Sequence, residues 1–155
     1  MITIYEMGCI VKLSTKSTYG LRAMIDIAIN YKENPVSIKD ISEREDISLK
    51  YLEKLMTSLK KAGLIDSIRG AKGGYILSRE PNNISIGEIL RALEGNLNPV
   101  DCKLLMDENC NIEDDCIMKF VWSKISEGIN MAVDSMSLQD VIDKSADCCV
   151  GGCSI

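Results

Sequence analysis

Histidine is absent from this 155-residue chain. Its absence removes the usual general base, and with it any Ser/His/Asp or Cys/His nucleophile arrangement. No paired catalytic acids stand in a recognisable pocket pattern. The glycine-rich "GAKGG" stretch has neither the GK[ST] ending nor the following helix of a phosphate-binding loop. An enzyme is therefore not expected. Aromatic residues make up only 5%, so the core must be aliphatic and Met-rich, which suits helices better than a β-sandwich. No apolar run approaches the roughly 18 residues of a membrane span. The start, "MITIYEMGCI", lacks the basic residues and cleavage site of a signal peptide. These features point to a cytoplasmic chain with no membrane partner.

Hydrophobic residues account for 46% of the chain, enough for a real core. The length suits one domain, or a small domain with an appendage. Seven cysteines, an odd number with no secretion signal, read as reduced thiols, more suited to ligation or sensing than to stapling. The net charge of −5 conceals an asymmetry. Residues 11–80 carry 13 Lys/Arg against 9 Asp/Glu, whereas residues 81–155 carry 5 against 13. A basic first half joined to an acidic second half implies a phosphate-facing module and a module with another task.

Ser14 or Thr15 caps a first helix to about Tyr31, with Leu21, Met24, Ile25, Ala28 and Ile29 at helical spacing. "ENP" ends it. Ser37 caps a short second helix with Ile38 and Ile41 inward. Ser48 caps a third, closed by Gly63 and buried along Leu49, Leu52, Leu55, Met56 and Leu59. The period then changes from helical to alternating. "LIDSIRG" and "YILSR" read as two strands around the glycine-rich turn. Ser85 caps a fourth helix that stops at Gly95. A longer helix, about 115–136, presents Met118, Val121, Trp122, Ile125, Ile129, Ala132, Val133 and Met136 on one face. "SLQDVIDK" makes a short last helix, and "SADCCVGGCSI" reads as a loose tail.

Three helices and a hairpin, with a short turn between the second and third helices, is the order of a winged helix-turn-helix. The fold class is mainly α with a small β-hairpin, and the third helix is the one to enter the major groove of duplex DNA. On that helix Lys50, Lys54, Thr57 and Lys61 recur on the side opposite the leucines. Ser48 and Tyr51 stand near its N-terminal end, with Glu53 the odd acidic member. Arg69 and Lys72 flank the hairpin turn. A lone lysine face is commonly just solvated. The short turn, the hairpin and the charge asymmetry together favour nucleic acid.

"KLSTKSTYGLRAMIDIA", "ISLKYLEKLMTSLKKAGLIDSIRGAKGGYILSR" and "ISIGEILRALEG" resemble the IscR-type repressors, the Rrf-two family of bacterial winged-helix regulators, over about residues 11–136. The resemblance implies a homodimer joined through the long C-terminal helix and bound to an inverted-repeat operator. It also matches Ser48, Lys50, Tyr51, Glu53 and Lys54 to recognition-helix positions and Arg69 to a wing arginine. The family pattern begins near "VKLSTK". Residues 1–10 are therefore read as an N-terminal extension, and Cys9 receives no role. Residues 11–95 form the DNA-binding domain, 96–115 a cysteine-containing sensor loop, 116–144 a dimerisation region and 145–155 a Cys-rich tail.

"DCKLLMDENCNIEDDC" places Cys102, Cys110 and Cys116 at spacing C-x7-C-x5-C. A disulfide would leave one thiol over, and a structural zinc site uses tighter pairs. Thiolates are the usual ligands of a 2Fe–2S cluster, which needs four. Family members that sense through iron–sulfur chemistry keep three cysteines at this location, so the resemblance implies such a cluster on Cys102, Cys110 and Cys116. The histidine of the IscR pattern is replaced here by Lys119. The fourth ligand is left among Glu113, Asp114, Asp115, a tail thiol, a partner-subunit residue, or an exogenous thiol or water. Three inert buried thiols and a Cys102/Cys110 redox switch remain as other readings. So does a cluster-free relative that reads cysteine status through a partner enzyme of cysteine metabolism. From another class comes a small iron–sulfur carrier, which would need neither wing nor lysine face. Cys148, Cys149 and Cys153 of "CCVGGC" could bind soft metal, donate a ligand, form disulfides or do nothing.

Overall fold

The computed structural model describes residues 14–31, 34–97 and 117–149, with backbone alone for 117–119 and 146–149. Ser14 Oγ accepts from the Lys16 N–H and starts α1 (Thr15–Asn30). Ser37 does the same for Asp40 at the head of α2 (Ile38–Glu45). Each satisfies a backbone donor that the first turn leaves without a helical partner. Helix α3 (Leu49–Lys61) ends in a Schellman turn. Gly63, at φ +72°, lets its own N–H reach Lys60 O and the Leu64 N–H reach Leu59 O. Strands β1 (Ile65–Ile68) and β2 (Gly74–Leu77) pair antiparallel, Ile65 opposite Leu77 and Ile68 opposite Gly74. A 3-10 turn (Pro81–Asn83) leads to α4 (Ile86–Glu94), which opens with a reciprocal Ser85/Glu88 capping box. Helices α5 (Ile117–Asp134) and α6 (Leu138–Cys149) complete the described elements.

The core is aliphatic and Met-containing, as the composition requires. Met24, Ile27, Ile41, Leu52, Leu55, Met56, Leu59, Leu64, Ile65, Ile84, Ile89 and Leu93 are its largest fully buried side chains. Leu138 of α6 lies fully buried in the same cluster, with Val133, Val141 and Ile142 packed against it. Two backbone bonds, Ile86 N–H to Met136 O and Leu138 N–H to Ile84 O (both 2.8 Å), stitch the α5–α6 junction to the head of α4.

Four local expectations are corrected. The fully buried residues of α1 are Ser17, Gly20, Ala23, Met24, Asp26 and Ile27; of the expected stripe, Leu21, Ile25 and Ala28 pack half-buried against the core, while Ile29 is 50% exposed. The small residues set the buried face, because a Cβ at Gly20 would overlap Leu93 where α4 crosses. Leu49 is exposed rather than part of the α3 stripe, since it sits at the first helical position, at the helix's outer end. Ser48 is the N-cap residue of α3, but its side chain makes no capping bond. The last helix runs on to Cys149, through residues read as loose tail. It starts at a Ser137/Asp140 capping box, and the sequence holds no Gly or Pro before Gly151 to stop it.

Candidate nucleic-acid interface

Helices α2 and α3 are joined through Asp46, Ile47 and Ser48. Asp46 turns the chain in the left-handed region at φ 52°, which a short polar side chain tolerates. Ser42 Oγ donates to Ile47 O at 2.6 Å and braces this turn. The angle of α2 against α1 is fixed from below. Arg44 Nε and a terminal nitrogen donate to the two carboxylate oxygens of Asp26 at 2.7 and 2.8 Å, and the Asp26 side chain is only 4% exposed. Asn30 gives the same carboxylate a further donor at 2.9 Å. That bonding holds the Arg44 pKa above its ordinary value.

The outer face of α3 is open. Ser48, Lys50, Glu53, Lys54, Thr57 and Lys61 are all exposed. Thr57 is partly committed, its hydroxyl donating to Glu53 O at 2.7 Å. Tyr51 is half-buried and meets Tyr19 edge-on, ring centroids 6.1 Å apart. Arg22 lies 5.8 Å over the Tyr19 ring and bonds Glu45 at 2.6 Å. Tyr19 and Arg22 are thus supports of the recognition helix that sequence reasoning missed; no local periodicity links α1 to Tyr51. Lys60, also missed, reaches Ser67 and ties α3 to the wing.

The wing turn spans residues 69–73, with Arg69 and Lys72 exposed on it. Gly70 takes φ +124°, a backbone region open to glycine, and accepts from the Gly73 N–H at 2.9 Å. The wing is anchored at its base as well, where Val36 and Tyr75 exchange two backbone bonds of 2.9 and 2.8 Å.

On α5 the apolar face divides. Trp122, Ile129 and Val133 are half-buried and Val121, Ile125 and Ala132 are exposed, as is Met136, which lies past the helix end at Asp134 rather than on the helix as expected. Phe120 (64%) and Met131 (74%) add to the open side. Met118 has no described side chain. Arg91 clamps α5 to α4 with two bonds to Asp134 (2.8 and 2.6 Å) and one to Asn130 (3.1 Å). Bonding to Arg91 lowers the Asp134 pKa.

Cys102, Cys110 and Cys116 lie outside the described residues, as do Cys9, Cys153 and the carboxylates Glu113, Asp114 and Asp115. Among the described residues no group of three or more His, Cys, Asp or Glu side chains is placed to hold a metal ion. As a donor set, three thiols suit iron–sulfur ligation. No described helix is long and apolar enough to cross a membrane.

A short-turn helix pair with a cationic outer face, and a hairpin pinned beside it, defines a winged-helix DNA-binding regulator. The family model described as "Rrf2: Iron-dependent Transcriptional regulator" matches residues 13–144, and the chain belongs to this family. The likeness read from the sequence motifs is thereby borne out. "Protein rrf2" of Nitratidesulfovibrio vulgaris is 39% identical over 146 residues, 93% of this chain and 95% of that protein. The HTH-type transcriptional regulator CymR of Bacillus subtilis is 41% identical over 84% of this chain and 88% of its own. The solved structure of CymR, the global cysteine regulator of B. subtilis, superposes with TM-score 0.72 and covers 87% of this chain and 98% of that one. T. potens IscR superposes at 0.70 with 42% identity, covering 86% and 88%. These relatives are transcriptional regulators, not enzymes.

Proposed function

We propose that this chain is a homodimeric repressor that binds an inverted-repeat operator and controls genes of iron–sulfur assembly or cysteine metabolism. Ser48, Lys50, Tyr51, Glu53 and Lys54 meet base edges or nearby phosphates from α3. Thr57 and Lys61 follow the backbone, and Arg69 and Lys72 act from the wing. The open apolar side of α5 is the seam between subunits. Cys102, Cys110 and Cys116 hold a 2Fe–2S cluster, which when bound supplies redox chemistry and a change in ligand-loop shape. The observation that carries this reading is the junction at Cys116. The residue after it, Ile117, is the first described residue of α5, a helix clamped to α4 by Arg91 and Asp134. A loop that changes shape would thus act on the helix that sets the distance between two recognition helices.

A second reading has its own support. The likeness to CymR, called a global cysteine regulator, supports a protein that reads cysteine status without a cluster through the same DNA interface. Operator titration with wild type and with Cys102, Cys110 and Cys116 all changed to Ala separates the two. A changed affinity supports cluster sensing. Identical affinities support the cluster-free regulator. Sedimentation of the wild type as a monomer at micromolar concentration would contradict both.

A further inference from the structure

We propose that the cleft between the first turn of α2 and the wing seats one backbone phosphate of the DNA duplex, with Lys39 as its unrecognised cationic wall. The proposal rests on the docking through α3 and the wing described above. The cleft has a volume of about 360 Å³, and its lining includes Ser37, Lys39, Arg69, Gly73, Gly74 and Tyr75. Lys39 and Arg69 belong to different elements and face the same space. No Asp or Glu lines it.

The charges are uncompensated. Arg22, Arg44, Arg79 and Arg91 are each bonded to a carboxylate. Arg69 is the remaining arginine of the chain, and among the described residues it has no such partner. Lys39 likewise forms none of the described ion pairs, and it stands in the first turn of α2, where the helix field disfavours a cation. An anion in the cleft relieves both conditions. A phosphate diester suits them, since lysine offers a point charge and arginine a planar fork.

The cleft is also rigid. Val36 and Tyr75 exchange backbone bonds of 2.9 and 2.8 Å, so the approach to α2 is bridged to β2 at one residue pair. Gly74 permits this contact, because a Cβ there would stand 2.5 Å from Val36 O and 3.0 Å from the carbonyl carbon of Pro35. The wall bearing Lys39 and the wall bearing Arg69 therefore keep their spacing before DNA arrives, which lowers the ordering cost of binding. In helix-turn-helix docking the helix before the recognition helix crosses the sugar–phosphate backbone. This cleft lies at the first turn of that helix.

The test uses the full chain and a duplex selected by the wild type from a random-sequence pool, titrated between about 50 and 200 mM salt. Lys39→Gln should flatten the plot of log K against log salt by about one unit while leaving the preference for the selected sequence unchanged. Lys39→Arg should restore the slope. A Lys39→Gln slope equal to that of a DNA-binding wild type overturns the seat and leaves the docking reading intact. A wild type that selects no duplex overturns the docking reading itself, and the seat with it. A parallel arm titrates inorganic phosphate at constant ionic strength and follows the Gly73 and Gly74 amide signals. Saturable shifts there, together with an unchanged DNA slope in Lys39→Gln, would reassign the cleft to free phosphate and overturn the DNA assignment.

Discussion

Replacing Arg44 with Ala should destabilise the folded chain by about 2–4 kcal/mol. Two charge-assisted bonds, 2.7 and 2.8 Å, run from Arg44 to a carboxylate on Asp26 that is 4% exposed. Removing one member of a buried pair costs about 3–5 kcal/mol, because the remaining charge stays desolvated. Two details lower that figure. The Arg44 side chain is 40% exposed and so retains some hydration. Asn30 still donates to Asp26 at 2.9 Å after the change. Urea unfolding of wild type and variant, fitted with a shared slope, gives the difference. Adding Asp26→Asn to Arg44→Ala should recover about 1 kcal/mol or more, since a buried amide is less costly than a lone buried carboxylate. A loss under about 0.5 kcal/mol, the range of an ordinary surface change, or a double variant weaker than the single one, would refute the reasoning.

Arg69→Ala, which removes the wall of the phosphate seat opposite Lys39, and Lys61→Ala should each weaken all duplexes alike and flatten the salt slope by about one unit; unchanged affinity in both removes the docking model. Ile125→Asp should shift the sedimenting species from dimer to monomer, because it puts an unpaired charge in the proposed seam. In acid, stability should fall as pH drops through and below the usual carboxylate range of about 4. The Ser85 backbone N–H and then Arg79 hold Glu88 low, while Ser137 lowers Asp140 and Arg91 lowers Asp134. Burial pushes Glu94 up, but hydrogen bonds from Ser14 and Ser17 outweigh it and leave Glu94 low. Each depressed carboxylate stabilises the fold above its unfolded pKa, and that contribution is lost as it protonates. Thermal melts that show rising stability from neutral pH to pH ~3 would contradict these four shifts.

Local chemistry made much of the fold legible. Serines 14, 37 and 85 announced three helix starts, Gly63 announced an end, and the change of period with a glycine-rich turn announced the hairpin. These signals act within a few residues, so they survive in one dimension. The features that failed depend on what packs across the fold. The inward face of α1 follows from Leu93 lying over Gly20, a contact between helices far apart in sequence. The Asp26–Arg44 clamp and the Tyr19–Tyr51 contact are hidden in the same way. Lys39 lines one cleft with Arg69, a placement that no local spacing in the sequence marks. Within the interface, the lysines of α3 were readable by spacing because a helix face repeats, whereas the half-burial of Tyr51 was not. Cys102, Cys110 and Cys116 fall outside the described residues, so the chemistry proposed for them rests on spacing and family.

The most direct test of cluster sensing is the iron and acid-labile sulfide content of the wild-type chain purified without oxygen, read together with its visible spectrum. The account predicts a coloured protein with iron and sulfide in equal amounts, both lost when Cys102, Cys110 or Cys116 is changed to Ala. A colourless, iron-free protein that binds its operator as tightly as the triple variant would contradict it.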